Sequence, residues 1–299
     1  MKKFVFILIT SLSFNVAFAQ SLKPYILGAT STNSMEDVKS SVKSGLGNAG
    51  FTIVGEYQPV SESSRWVMVV SHPELDKAVK SVGGLTGFAS TLRVGITKEG
   101  GILNISYTNP PYWGNAYFRD DFDKVSAHYT KLETAFKNAV ANIGEAKGTS
   151  FGSEDGVEID DLKDYHYMFG MPYFDDTEEF GDFDSHAQAV SKIEKSLQRG
   201  KPGVKLVYKY DVPGANLTLF GLALSGDKGE GNFMPKIDVT SPKHTAFLPY
   251  ELLVKGSEVH MLHGRFRIAL SFPDLTMGTF TKIMSSPGDI EDLLKQLVE

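Results

Sequence analysis

Glu154–His186 reads EDGVEIDDLKDYHYMFGMPYFDDTEEFGDFDSH, and the way it divides decides the fold. It holds twelve carboxylates, one lysine and seven Phe or Tyr rings. Its first part continues a Gly-, Ser- and acid-rich run, so residues 145–164 read as a solvated acidic linker. Its second part, Tyr165–Tyr173, falls where the following half calls for an opening strand. The halves on either side carry the same order of elements.

On the N-terminal side, Pro24–Thr30 reads as a short strand. Ser34 caps a helix with Asp37 as its box partner, and Met35, Val38, Val42, Leu46 and Ala49 share one face up to Gly50. The strands FTIVGEYQP and RWVMVVSHP follow, then a short helix over Pro73–Val82 and a hairpin, Ala89–Thr97 with Ile102–Thr108. A Pro- and Gly-rich loop, Asn109–Asp120, leads to the most regular helix, with Phe122, Val125, Tyr129, Leu132, Phe136, Val140 and Ile143 on one face. On the C-terminal side the pattern restarts. Ser185 caps a helix with Gln188 as partner, VKLVYKYDVP matches FTIVGEYQP, and LTLFGLALSG matches RWVMVVSHP. A loop over Asp227–Pro242 stands in place of the short helix. A second hairpin is expected, Phe247–Met261 with Arg265–Phe272, turning near His263-Gly264. Ser286 caps a last helix carrying Ile290, Leu293, Leu294 and Leu297 inward.

Antiparallel neighbours with helices on one face give an α+β fold. The expectation is two similar two-layer domains from an internal duplication, residues 20–144 and 165–299, joined by the linker. VKSSVKSGLGNAGFTIVGEYQP, VVSHPELDKAV and LRVGITKEGGILNISYTNP, with LPYELLVKG in the second half, resemble domain-of-unknown-function family 302 of bacteria, here in tandem. The resemblance covers Pro24–Ile143 and, more loosely, Ser185–Val298. It implies architecture and brings no catalytic residues with it.

Met1–Ala19 has the form of a cleaved signal peptide: Lys2-Lys3, an apolar run, and Ala17-Phe18-Ala19 before Gln20. The expected location is the periplasm, with the extracellular medium as alternative. The formal net charge of −6 becomes −8 once both lysines are removed, and no basic stripe suits nucleic acid. No other run is long and apolar enough for a membrane span. The absence of cysteine excludes disulfides, thiol catalysis and thiolate-bound metal. No cofactor is indicated.

The candidate ligand site is aromatic: Tyr112, Trp113 and Tyr117 from the Pro-rich loop, with Tyr165, Tyr167 and Tyr173, lining a groove between domains. Phe272-Pro273-Asp274-Leu275 is the counterpart loop of the second half. The expected function is an exported, non-enzymatic binding protein for a small molecule or an envelope protein. The alternative is metal handling. His166, Met168 and Met171 offer soft donors for Cu(I), with His186, His260, Met261 or His263 as additions. Asp160, Asp161, Asp175, Asp176, Glu178, Glu179, Asp182 and Asp184 offer oxygen for Ca²⁺. A hydrolase rests on Gly148-x-Ser150-x-Gly152, which lacks the strand–turn–helix setting of a nucleophile elbow. Gly45-x-Gly47-x-x-Gly50 ends a helix instead of opening one, so it cannot present amides to a phosphate.

Overall fold

A computed structural model describes residues 20–299; the expected signal peptide lies outside them. The chain begins with β1 (Ser21–Leu22) and β2 (Tyr25–Ser31). The Ser34 hydroxyl accepts the Asp37 amide at 3.1 Å and starts α1 (Met35–Asn48), which buries Val38, Val42 and Leu46. Then come β3 (Thr52–Tyr57), β4 (Arg65–Ser71), α2 (Pro73–Val82), β5 (Leu92–Glu99) and β6 (Ile102–Thr108). The run expected as a loop is a helix, α3 (Pro110–Phe118), with prolines in its first turn, where a missing N–H costs nothing. It is followed by α4 (Phe122–Val140), whose Phe136 ring stacks on Tyr107 of β6 at 4.6 Å.

Residues 145–164 are not a free linker. They form β7 (Glu145–Phe151), β8 (Val157–Glu158) and α5 (Ile159–Lys163). β7 pairs with β2, and β8 with β1. The correction has a clear cause: β2 has an open side, and seven residues of extended chain satisfy its amides. Lys147 and Gly148 together stand opposite Gly28, a one-residue bulge with Gly148 at φ 67°.

The second half opens with β9 (Thr177–Asp182), not with Tyr165–Tyr173, which runs irregularly between α5 and β9. Ser185 caps α6 (His186–Arg199) through the Gln188 amide. After β10 (Val204–Asp211) and β11 (Leu217–Leu224) a short helix is present after all, α7 (Glu230–Ile237). The hairpin is β12 (Tyr250–Lys255) with β13 (Glu258–Leu262), and its turn lies at Gly256-Ser257. Arg265–Phe272, expected as its second strand, falls in and just past α8 (Gly264–Ser271). α9 (Met277–Phe280) and α10 (Ser286–Lys295) finish the chain, and no Ser286 cap bond forms at the start of α10.

All strand neighbours are antiparallel. The sheet orders are β3-β4-β5-β6-β2-β7 and β10-β11-β12-β13-β9. With β9 set against β2, and β10 to β13 against β3 to β6, five strands follow the same order in each sheet. The sheet face that carries no helices is not wet along the central strands. β5 is buried along Leu92–Thr97, because the face bearing Arg93, Gly95 and Thr97 meets the second half. Glycines permit that closeness: a Cβ on Gly95 would stand 2.9 Å from the Ala246 nitrogen, and one on Gly55 of β3 2.6 Å from the Val207 oxygen.

Candidate functional site

The aromatic groove does not exist as an open site. Tyr112, Trp113 and Tyr117 project from α3 and are all buried. Trp113 donates its indole N–H to the Pro24 carbonyl at 2.9 Å, and Tyr112 donates its hydroxyl to Leu270 of α8 at 2.7 Å. Tyr165 donates to the Ala269 carbonyl at 3.0 Å, and Tyr167 to that of Leu275 at 2.6 Å. Tyr117 stacks on Phe174 at 5.1 Å, while Tyr173 packs against His166 at 4.6 Å. The rings form a seam joining the halves. Bulk and a polar tip suit Tyr and Trp to a buried joint as well as to a ligand.

The metal candidates divide. Met168 and Met171 share a crevice, while His166 lies in the adjoining one with Met171 and His263. His186 is committed at both nitrogens, to the Gly256 carbonyl and the Thr218 hydroxyl, each at 2.9 Å. His260 is held by Thr177 and Glu258, and Met261 is buried. The carboxylates proposed for Ca²⁺ do not converge: among the described residues no group of three His, Asp or Glu side chains forms a metal site. Asp175 pairs with Arg119 at 2.7 Å, and Asp176 accepts the Tyr173 amide at 2.9 Å. Ser150 sits within β7 opposite Ile26, on no elbow.

Beneath the seam lies a buried ionic network. Glu251 of β12 faces Arg93 of β5 at 2.5 Å and Arg267 of α8 at 2.8 Å, and the Tyr208 hydroxyl donates to it. Burial alone would push the Glu251 carboxyl up; the two guanidinium charges outweigh it and hold it below the usual carboxylate range. Arg65 of β4 pairs with Asp238, which also accepts the His244 amide at 2.9 Å. Such pairs return little net stability against an apolar isostere, but they fix which surfaces meet.

A cleft of about 490 Å³ opens beside this network, between the end of β7 and the loops before and after the β12–α8 segment. That is within the range of small-molecule sites, roughly 300–1,000 Å³. His244 is 5% exposed and lines the cleft, and its Nδ1 has no hydrogen-bond partner. Its ring stacks on Phe272 at 4.5 Å and lies 5.8 Å from Phe151. Burial pushes its pKa down, against the nearby Asp238 charge and the Ser271 backbone, which favours the neutral imidazole. Two of the charged side chains at the rim, Lys23 and Asp274, are engaged within the chain, and the Glu154 carboxylate is exposed. Asp274 accepts the Ser153 hydroxyl at 2.7 Å and the Glu154 amide at 2.6 Å, while Lys23 donates to the Glu154 carbonyl at 2.7 Å. Ser153 thus bonds a carboxylate and no histidine, which is not the arrangement of an activated nucleophile. What the cleft offers is aromatic rings, hydroxyls and the Glu154 carboxylate.

Of these residues, sequence reasoning had reached the Phe272–Leu275 loop and Ser150, the latter for a different reason. His244 was missed because nothing in its neighbourhood, Ser241-Pro242-Lys243-His244, marks it apart from any turn.

No family model and no curated protein matches the chain. Among solved structures it is similar to the crystal structure of an uncharacterized conserved DUF302 protein from Bacillus stearothermophilus, at 14% identity and a TM-score of 0.32. That match covers 38% of this chain and 98% of the other.

Proposed function

We propose that this protein is an exported, non-enzymatic binding protein whose ligand is a small, uncharged, partly aromatic molecule held in the cleft between its halves. The single observation that carries this reading is the cleft of about 490 Å³, walled by the rings of Phe151, His244 and Phe272. Lys23 and Asp274 at the rim are already bonded within the chain, and the exposed Glu154 carboxylate beside them disfavours an anionic ligand. The periplasm is the proposed location, on the signal-like residues 1–19, and an envelope protein is a further candidate partner. The shared five-strand order supports descent of the halves from one duplicated domain of the DUF302 kind.

Protein purified from its own cell envelope has a mass that tells whether the chain starts at Gln20. Saturation-transfer NMR would then screen it against uncharged phenols, aromatic alcohols and amides. Val239 is an exposed cleft residue, 65% accessible, so Val239→Trp fills the site without disturbing the core. Compounds should bind the native protein, bind His244→Phe more weakly and lose contact with Val239→Trp. A screen in which no compound distinguishes the native protein from Val239→Trp sinks the reading.

A further inference from the structure

The methionines fall into two groups. Met68, Met234 and Met261 are buried, and Met35 packs against the core. Met168, Met277 and Met284 are exposed and Met171 is half-buried, and these four border crevices that share Arg265. Three of them, Met168, Met171 and Met277, line one crevice of about 40 Å³. Two come from the segment between α5 and β9, the third from the start of α9. That volume is well below the roughly 300–1,000 Å³ of sites for organic ligands.

Its donor set is restricted. Arg265 is the only charged residue in the lining and has no lone pair to give; the Tyr167 hydroxyl is already donated to the Leu275 carbonyl. Three neutral thioethers are the main donors on offer. Hard cations need oxygen and Zn²⁺ prefers nitrogen or thiolate, whereas Cu(I) and its analogue Ag(I) accept thioether sulfur. We infer that this crevice is a site for a soft monovalent cation, Cu(I), bound through the sulfurs of Met168, Met171 and Met277.

Carboxylates stand nearby: Asp176 and Glu291 line the adjoining crevices that Arg265 also lines, and Glu178 is 3.6 Å from His263. The chain contains no cysteine, so no thiol competes for the ion. The segment bearing Met168 and Met171 is tethered at both ends, through Asp164 and Asp175 to Arg119, at 3.3 and 2.7 Å.

The test is competition for Cu(I) against bicinchoninate, with ascorbate and without oxygen, on the purified protein. The native chain is expected to withdraw one equivalent. The Met168→Leu/Met171→Leu/Met277→Leu variant, with nearly conserved side-chain volumes, is expected to withdraw none while keeping its far-UV spectrum and urea midpoint. Met35→Leu/Met284→Leu should behave as native. With methyl-labelled methionine, Ag(I) should shift the resonances of residues 168, 171 and 277 and leave those of Met68 and Met234 in place. No withdrawal by the native protein, or equal withdrawal by the triple variant, overturns the inference.

Discussion

Glu230 and Glu251 are both buried carboxyls at the seam, and their pKa values move in opposite directions because the balance of burial and neighbours differs. Glu251 faces two guanidiniums; Glu230 has hydrogen bonds alone, from the Tyr57 hydroxyl at 2.8 Å and the Val60 and Leu224 amides at 3.0 and 3.2 Å. Burial outweighs those three bonds and raises Glu230 to about 7. Its folded pKa lies above the unfolded one, so the folded chain holds a proton that the unfolded chain has released. The stability associated with that proton is complete below about pH 4.5 and is lost as pH rises to about 7, at most about 3 kcal/mol. Urea titrations of native protein and Glu230→Gln should therefore show a stability difference that changes by about that amount over the window. A constant difference would mean that Glu230 is not buried in this way. The same carboxylate holds the amide of Val60, whose φ of 61° is unusual for a branched side chain. None of this is legible from Lys228-Gly-Glu230-Gly: a burial-driven shift depends on partners 170 and 173 residues away.

Helices with one wet face were legible and helices buried all round were not. α1, α2, α4 and α6 alternate buried and exposed positions, and their periods or caps stand out in the sequence. In α3 every residue but Pro111 is buried, and in α8 every residue but Arg265, so the 3.6-residue contrast is lost. α7 contains Pro235, which reads as a loop marker. Within α3, Gly114 tests the packing. A Cβ there would stand 2.7 Å from Cε1 of Tyr129 and closer still to Phe122. Alanine raises helix propensity by about 1 kcal/mol, while overpacking costs about 1–3 kcal/mol. Gly114→Ala should lower the urea midpoint despite the better helix former. A raised midpoint would show that α3 is loosely seated.

For the whole molecule, the α+β class and the shared element order were readable, whereas the joint between the halves was not. Polar positions such as Arg93 and Glu251 read as one wet face of a strand until the two halves are brought together. The cleft residues come from four distant segments, around residues 23, 151, 244 and 274, which no spacing rule connects. Because ion pairs and rings cross the seam, the halves should unfold together. Both tryptophans, Trp66 and Trp113, lie in the first half, so fluorescence reports that half while far-UV dichroism reports the whole chain. Coincident urea midpoints are expected, with Glu251→Ala lowering the stability read by both probes by about 3–5 kcal/mol by stranding two buried arginines. Separated midpoints would show two independent folding units. The sheet edges carry a last consequence. β3 and β10 shelter one another through the close approach at Gly55, and β9 presents Glu178, Glu179 and Asp182. β7 is exposed along nearly its whole length, and there the bulge at Lys147-Gly148 breaks the straight ladder that a second chain would need for pairing. The strand taken for a linker is thus the molecule's guard against edge-to-edge aggregation.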